Sequence, residues 1–559
     1  MKKLQVCITL LLMSALLLAA CKSPSAANSS GDSLSAGLSP ENSGTGEKNP
    51  TGGILNLQLS AEVQSLDPHA TSDGISFTII RALSDGLYIL GDKGVPETAI
   101  AESVEKSSDN LTYTFKIRDN ANWTSGAPVT AQDFVFAWRE LINPENAFEY
   151  ANIPVSAGIV NAKSIAAGDK RPEELGVTAL NDKTLEVKLE RPLAYLESLL
   201  AMPAMLPINE DFYRAQGDRY GTSPETTNAN GPFQLKSYQP SAMTIELERN
   251  PGYYAADRIH LDGLKYQVIK DNQQALLSYQ NGDLDVVSLS GDQAEFFLDD
   301  PEFHPVLTGF LWFLSPNTKV AGLENANLRR AIALSYDKDS LAKNILKDGS
   351  VPADYYITKL TAVGPDGKDF RETTETFLKT DKVLALEYWN KAKEELGVSS
   401  LSYKVLVEDA ESAINVVQYI QAQVAETLPG LTLNIEQMPK KNRVERMTAK
   451  DYEIGFTRWG PDYPDPTTYL DLWATGSAYN YGSWENSEYD ALLAACESGD
   501  LSGDFSARWE ALKKAEKIAA DDAAVLPVYQ KAEAVLIKSN IKGYGFTQTG
   551  GHIPWYAEK

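Results

Sequence analysis

The chain has 559 residues, of which 43% are hydrophobic and 9% aromatic, and its formal net charge is −25. A chain of this length can bury several hydrophobic cores and is expected to divide into lobes. Its negative charge argues against nucleic acid and anionic lipid headgroups as partners.

The first residues have the layout of a bacterial lipoprotein signal. Two lysines form a positive n-region, the apolar stretch Leu10–Leu18 follows, and Leu18-Ala19-Ala20-Cys21 supplies the small residues of a cleavage site. The apolar stretch is shorter than the roughly 20 residues that span a bilayer. We therefore predict a signal peptide over residues 1–20 and attachment of acyl chains such as palmitate to Cys21.

Residues 21–52 are rich in Ser, Gly, Asn, Ala and Pro and nearly lack large apolar residues. Such a composition cannot bury enough surface to offset the chain entropy, so we predict a flexible tether. Tether and lipid together predict a protein anchored at the extracytoplasmic face of the cell membrane, in a periplasm or outside the cell. In the exported body only Cys496 remains, and we predict a buried structural thiol in a helix over Tyr489–Glu497.

Alternating polar and apolar residues predict sheet strands over Tyr113–Ile117, Thr184–Leu189 and Met243–Glu248. Thr130–Asp133 has the form of a capping box and predicts the start of a helix. Asn327 and Asp337 are the predicted N-caps of two further helices, the second of which ends at Gly349.

The clearest local architecture lies between residues 400 and 470. Leu401–Val407 is a predicted strand, a helix follows and ends before Pro429-Gly430, and Leu431–Ile435 alternates as a second strand. This succession predicts a right-handed crossover in a parallel sheet. Tyr452–Phe456 is a further predicted strand, and a loop leaves its carboxyl end.

That loop has the sequence Arg458-Trp459-Gly460-Pro461-Asp462-Tyr463-Pro464-Asp465-Pro466. It combines an aromatic side chain with carboxylates on a backbone restricted by Pro and Gly. Open α/β sheets bind ligands outside the carboxyl ends of their strands, so we predict that Asp462 lies in a cleft. A carboxylate there suits the cationic end of a ligand. Two alternatives stay open, namely that Asp462 braces its own loop and that Trp459 belongs to the core.

An enzyme needs a set of catalytic side chains, and the sequence contains no recognisable motif for one. The four histidines show no metal-ligand spacing, and no zincin, phosphate-loop or nucleophile-elbow pattern occurs. The 76 acidic residues leave room for a glycosidase pair, but nothing singles one out. We therefore predict a protein that is not an enzyme and has no cofactor and no metal.

Six motifs occur in a characteristic order along the chain. They are Ser65-Leu66-Asp67-Pro68 with Leu83–Leu87, Trp123–Phe134, Asn230–Phe233, Tyr279–Asp285, Arg329–Ile332 and Pro527–Tyr529. In this order they resemble the dipeptide and oligopeptide substrate-binding proteins of ABC importers, the extracellular solute-binding proteins of family 5. The resemblance covers nearly everything from Gly53 onward, and Trp123–Phe134 is its most diagnostic part.

The resemblance implies a mixed α/β fold of the periplasmic-binding-protein type, a monomer with three lobes and a cleft that closes by hinge motion. The first lobe is discontinuous, because the second is inserted into it. The implied boundaries are 53–96, 228–313 and 529–559 for lobe one, 97–227 for lobe two and 314–528 for lobe three.

The family's function implies an importer component that captures short peptides in extended form and delivers them to permease and ATPase subunits. In peptide-binding members the aspartate that matches Asp462 pairs with the α-ammonium group of the ligand, and Trp459 is expected to pack against the peptide. Hydrogen bonds between the main chains of protein and peptide would give an affinity that does not depend on the side chains of the peptide. The expected peptide-binding residues are Asp462, Trp459, Arg458, Thr457, Ser65, Leu66, Asn230, Gly231 and Tyr529.

One position departs from some enteric members, which carry an arginine three residues before the matching tryptophan and use it on the carboxyl terminus of certain short peptides. Here that position is Phe456, and Arg458 stands beside Trp459 instead. Whether Arg458 substitutes for that arginine stays open, and so does the preferred peptide length. Other functions also stay open: a receptor for a signalling peptide, a surface adhesin, or the same fold with a nickel chelate, haem or sugar as ligand. The presence of Asp462 favours a ligand with a free amine and hence a peptide.

Overall fold

The computed structural model describes residues 52–91, 95–547 and 551–559. The predicted signal peptide, the lipidation site Cys21 and nearly all of the tether lie outside these ranges. Among the described helices, none combines the length and the hydropathy that a membrane span requires.

One mixed sheet of eleven strands dominates the described part of the chain. Its strands are β1 (Ile54–Leu59), β8 (Phe233–Ser237), β9 (Thr244–Arg249), β10 (Gly263–Val268), β11 (Val286–Leu289), β12 (Phe303–Pro316), β13 (Val351–Pro352), β14 (Leu401–Glu408), β15 (Leu431–Met438), β16 (Ile454–Trp459) and β17 (Leu526–Ile537). The order is β15-β14-β16-β12-β17-β11-β1-β10-β9-β8, with β13 beside β17. We call β1 and β8–β11 the amino half-sheet and β14–β16 the carboxyl half-sheet.

Two long strands, β12 and β17, connect the half-sheets. The first part of β12, Phe303–Leu307, pairs with the end of β17 that lies beside β11. Its second part, Leu311–Pro316, pairs with β16. Between Leu307 and Leu311 the regular pairing of β12 with β17 lapses, and we call this segment, with the facing Gln530 and Lys531, the junction.

The carboxyl half-sheet contains the predicted crossover. β14 and β15 are parallel from the Leu401–Leu431 pair to the Glu408–Met438 pair, and α12 (Glu411–Thr427) connects them. β16 is parallel to β14. The strand–helix–strand prediction is confirmed, but one boundary is wrong, because β16 includes Trp459 and the loop begins only at Gly460.

Further helices of the carboxyl part are α9 (Ala326–Leu334), α10 (Lys338–Ser340), α11 (Lys382–Leu396), α13 (Lys440–Thr448), α14 (Thr467–Leu470), α15 (Ser487–Glu497) and α16 (Phe505–Asp521). The predicted cap of α9 is wrong: Asn325 accepts from the Leu328 N–H, while the Asn327 amide donates to Glu395. Asp337 caps α10 as predicted, and a π-helical segment continues that helix to Leu346. Cys496 is buried in α15, as predicted, and forms no disulfide within the described ranges.

A second, antiparallel sheet has the order β4-β5-β7-β6. Its strands are β4 (Ala101–Lys106), β5 (Thr112–Ile117), β6 (Val177–Asn181) and β7 (Thr184–Lys188), and the helices of this part are α2 (Ala131–Ile142), α3 (Ile153–Ser156), α4 (Ala162–Ala166), α5 (Leu196–Leu200) and α6 (Glu210–Gln216). The capping box of α2 is confirmed, since the Thr130 N–H donates to Asp133 Oδ2 at 2.8 Å. Trp123 Nε1 donates to the same oxygen at 3.1 Å, so the most diagnostic motif is a packing and capping element.

The amino part adds α1 (Gly74–Leu83), α7 (Asn272–Asn281), α8 (Gly291–Ala294) and the two-stranded pairs β2 (Tyr88–Leu90) with β3 (Pro96–Thr98) and β18 (Gly545–Phe546) with β19 (His552–Ile553). The buried apolar residues form separate clusters for the second sheet, the amino half-sheet and the carboxyl half-sheet. This separation agrees with three lobes, whose exact boundaries stay a prediction.

Candidate functional site

Strands from both half-sheets end at the junction. On the amino side, β1 is parallel to β11, and the last residue of β11, Leu289, lies opposite Ala534 of β17. On the carboxyl side, β16 ends at Trp459, opposite Leu311. Ligands of α/β sheets bind outside the carboxyl ends of strands, where the topology reverses. A cavity lies beside the junction on each side.

The cavity on the carboxyl side has a volume of about 430 Å³, and we call it the loop cavity. Four residues predicted from the sequence line it, namely Thr457, Arg458, Trp459 and Asp462. The rest of its wall comes mainly from β12, α13 and an aromatic segment, with Phe310, Phe313, Lys440, Arg443, Tyr479 and Tyr481.

Gly309 at the junction allows the Asp462 loop to approach the sheet. A Cβ atom at this position would overlap the Pro461 ring, so only glycine leaves room for the loop. The Tyr469 hydroxyl donates to the Gly309 carbonyl oxygen. The loop is therefore held directly over the segment where strand pairing lapses.

Two aspartates of the loop have different environments. Asp465 is buried, accepts from Thr467 and forms a two-pronged ion pair with Arg508 at 2.7 and 2.8 Å. Burial alone would raise the pKa of Asp465, but Arg508 outweighs it and holds the pKa low. This carboxylate, rather than Asp462, braces the loop.

Asp462 uses its backbone N–H to donate to Thr468 Oγ1 at 3.0 Å. Its side chain is accessible from the loop cavity, and the surrounding protein still desolvates the carboxyl and raises its pKa. No lysine or arginine of the described ranges forms an ion pair with it, and none contributes to that shift. An anion in such a place is able to pair with an incoming cation.

Trp459 combines core packing with an unsatisfied donor. Its ring is half-buried and lies 4.8 Å from that of Tyr479, centroid to centroid. Its indole Nε1 is buried and has no hydrogen-bond partner within the described ranges. Buried polar groups are normally paired, so an orphan at a cavity wall is a candidate ligand donor.

Two arginines on the wall of the loop cavity share one carboxylate. Glu408, at the carboxyl end of β14, lies 3.2 Å from Arg443 Nη2 and 2.8 Å from Arg458 Nη1. Arg443 also donates to Thr457 Oγ1 at 2.7 Å, and Arg458 lies over the Trp312 ring. The Thr457 hydroxyl is therefore engaged within the protein, whereas a quarter of the Arg458 side chain stays exposed.

The cavity on the amino side has a volume of about 450 Å³, and we call it the amino cavity. Its wall includes Gly74, Arg81, Ser288, Glu533 and His552. Ser288 Oγ donates to Glu533 at 2.6 Å, and His552 Nε2 lies 3.8 Å from the same carboxylate. Burial would raise the pKa of Glu533, but these partners outweigh it and lower the pKa. This wall was not predicted from the sequence, because its residues come from distant segments with no common motif.

Ser65 and Leu66 line neither of the two cavities. The Ser65 hydroxyl accepts from the Asp67 N–H at 3.0 Å, and Leu66 is 4% exposed. Both residues thus build a turn, and their contact with a ligand stays a prediction.

Asn230, Gly231 and Tyr529 also lie outside both cavity walls. The Asn230 side chain accepts from the Asp85 N–H at 2.7 Å, and Gly231 packs tightly against the end of α1. Tyr529 is buried and stacks on Trp312 with ring centroids 5.6 Å apart. The structure gives each of the three a packing role, and their ligand contacts stay predictions.

The Asp462 loop also touches the part of the chain that carries the second sheet. Tyr463 stacks on Tyr195 with centroids 4.2 Å apart and an interplanar angle of 7°. Arg191 donates to the Glu497 carbonyl oxygen at 3.2 Å nearby. Within the described ranges, no group of three or more His, Cys, Asp or Glu side chains is arranged to hold a metal.

Residues 95–481 match the model of the bacterial extracellular solute-binding proteins, family 5 middle region. The oligopeptide-binding protein OppA of Bacillus subtilis is 31% identical over 520 residues, which cover 91% of this chain and 93% of the relative. Among solved structures, OppA of Listeria monocytogenes bound to peptide has 33% identity and a TM-score of 0.68, covering 90% of this chain and 98% of that one.

A third relative is similar in structure over nearly the whole of its length. The murein tripeptide binding protein MppA, in its unliganded open form, is only 25% identical but has a TM-score of 0.79, covering 90% of this chain and 97% of that one. These structural neighbours confirm the predicted fold class, a mixed α/β fold of the periplasmic-binding-protein type.

Proposed function

The chain belongs to the bacterial extracellular solute-binding proteins of family 5, and from this premise we propose that it captures short peptides for an ABC importer. The peptide lies in extended form between the loop cavity and the amino cavity. Closure of the two half-sheets about β12 and β17 then buries it, and the closed complex docks on the membrane permease. The chain performs no chemistry on its ligand.

The observation that carries this proposal is the unpaired carboxylate of Asp462 in the loop cavity. A peptide's α-ammonium group is a cation that fits such a site and remains protonated at neutral pH. A charge-assisted contact becomes stronger when closure removes water from the cleft. Asp465 meets the structural need of the loop, which leaves Asp462 available for the ligand.

The remaining assignments extend the proposal. Trp459 packs against the first residues of the peptide, and main-chain groups at the ends of β16 and β1 pair with its backbone. Cys21 carries the acyl chains that anchor the protein to the extracytoplasmic face of the membrane. The protein acts as a monomer, with ATPase and permease subunits as transient partners.

Native mass spectrometry of residues 50–559, purified gently from cells, tests this function. We expect a ladder of added masses that correspond to short peptides, and the ladder reports their length range. A single non-peptide adduct would leave the fold assignment intact and contradict the proposal that the ligand is a peptide. Peptide capture would be contradicted if the purified protein carried no added mass and also failed to bind a pool of synthetic peptides.

A further inference from the structure

The loop that carries Asp462 borders two cavities. Asp462 lines the loop cavity, and Pro464 and Asp465 line a further cavity of about 270 Å³. Gly309 admits the start of the loop, and the ion pair of Asp465 with Arg508 fixes its end. Side chains at a cavity wall lack packing partners on one side. Each contact that holds the middle of the loop therefore matters for its position.

Tyr463, the residue after Asp462, provides such a contact. It packs against the hydrophobic cluster of the second sheet, whose buried members lie within residues 87–208. Its ring stacks on that of Tyr195, with centroids 4.2 Å apart and an interplanar angle of 7°. Such stacked pairs stabilise beyond the apolar area that they bury. The loop of the ligand site is thus held by a part of the chain outside both half-sheets.

Tyr195 is itself fixed where the second-sheet part meets the loop. Its carbonyl oxygen accepts from the Leu199 N–H of α5 at 3.2 Å, and Leu199 is 1% exposed. Four residues earlier, Arg191 lies 3.5 Å from the Glu497 carboxylate. Tyr195 lines neither the loop cavity nor the amino cavity. It is therefore placed to act on a ligand of these cavities only through Tyr463.

We propose that Tyr195 is a positioning residue for peptide capture. By stacking on Tyr463 it fixes the backbone next to Asp462, and so holds that carboxylate where it meets the ammonium group of a peptide. The inference rests on the proposed function, because it takes Asp462 to be the partner of that group. Hydrogen bonds weaken steeply when their distance or angle departs from the optimum, including those between charged groups. The second-sheet part thus contributes to affinity without touching the ligand.

The preference of the protein for a free amine tests this role. Calorimetry with Ala-Ala-Ala-Ala and its N-acetyl form gives the ratio of the two affinities, which reports the contact at Asp462. Tyr195→Ala should lower this ratio about three- to tenfold, the range expected for the loss of one aromatic pair. Tyr195→Phe keeps the ring and should restore the ratio. A merely structural role would weaken both peptides equally and leave the ratio unchanged.

Two further variants make the result specific to the stack. Arg191→Gln is the matched control, because it removes a contact between the same two parts of the chain, but one with Glu497 of α15 instead of the loop. It should leave the ratio unchanged. Tyr195→Leu fills the space of the ring without stacking, so it carries the same expectation as Tyr195→Ala if the alanine variant fails to fold.

The outcomes separate this inference from the proposed function. An unchanged ratio in Tyr195→Ala or Tyr195→Leu, or an equal fall in Arg191→Gln, would overturn the positioning role and leave peptide capture intact. Equal affinities of the unaltered protein for the two peptides would remove Asp462 as the ammonium partner, and the positioning role with it. Binding of neither peptide by the unaltered protein would overturn the proposed function as well.

Discussion

Two segments predicted to touch the ligand differ in how they use their polar groups. In the turn at residues 65–69, the Ser65 hydroxyl accepts from the Asp67 N–H, and the Asp67 carboxylate accepts from the His69 N–H at 2.9 Å. In the loop cavity, the Trp459 indole N–H and the Asp462 carboxylate have no such partners in the part of the chain that the structure describes. The two ring nitrogens of His69 in the first segment also lack hydrogen-bond partners among the described residues, but His69 lines neither cavity. The segments therefore differ in whether their unpaired groups lie at a cavity wall.

This difference separates a segment with a structural role from the segment that is proposed to bind the ligand. A folded chain pairs nearly all of its buried polar groups, because an unpaired one costs free energy. Groups left unpaired at a cavity wall are therefore candidates for ligand contact, whereas groups paired within a turn hold the backbone. Both segments contain an Asp, so the comparison is open to direct test.

The largest expected effect comes from exchanging the two aspartates for asparagine. Asp462→Asn should weaken binding of free peptides by about 2–4 kcal/mol, because the ammonium group loses its counter-ion. Asp67→Asn should leave affinity unchanged, since asparagine keeps the oxygen that accepts from His69. Calorimetry gives the affinities, and denaturation checks that both variants fold. Equal losses in the two variants would remove the distinction between the segments.

The pH dependence of binding sharpens the assignment to Asp462. Burial raises the pKa of this carboxyl in the free protein, and pairing with an ammonium group should lower it in the complex. Affinity is then fully present above the free-state pKa and is lost as the pH falls through it. The loss should begin above the usual Asp value of about 3.9. A titration of affinity from pH 8 to 4 measures it, and the same decline in Asp462→Asn would contradict the assignment.

Trp459→Phe should have a smaller effect. The indole Nε1 forms no hydrogen bond with any described residue, so thermal stability should change little. If the group donates to the ligand, peptide affinity should fall by about 0.5–1.5 kcal/mol, the usual worth of one hydrogen bond. Calorimetry beside a melting curve separates the two quantities. A loss of stability without a loss of affinity would show that Trp459 belongs only to the core.

Ser65→Ala should have the smallest effect and only on stability. It removes the acceptor of the Asp67 N–H, which should lower the free energy of unfolding by about 0.5–1 kcal/mol. Urea denaturation measures this change. A change in peptide affinity larger than the change in stability would instead bring the turn into the binding site.

Local patterns predicted the parts of the fold that depend on neighbouring residues. The segment from Leu401 to Ile435 has uninterrupted strand and helix periods, and its parallel crossover is confirmed. The N-cap of α9 was misplaced by two residues, because Asn325 and Asn327 are equally suited in sequence and only their packing differs. Trp459 was placed in the loop, although pairing with Leu311 extends the strand to include it.

The site was predictable only where one segment supplies several of its groups. Thr457 to Asp462 follow each other and line one cavity, as expected from their place at a strand end. Arg443 was missed because it is one residue of a polar helix, and nothing local marks its approach to Glu408. The amino cavity was missed because Arg81 of α1 and Glu533 of β17 lie far apart in the sequence and share no motif.

The shared strand β17 also determines when the molecule is able to fold. It supplies pairing partners to β11, β12 and β13, yet it begins at Leu526, far downstream of all three. Contacts between such distant segments form slowly, since a long loop must close before they add any stability. All strands of both half-sheets are therefore synthesised on the ribosome before β17, one of the two strands that connect them.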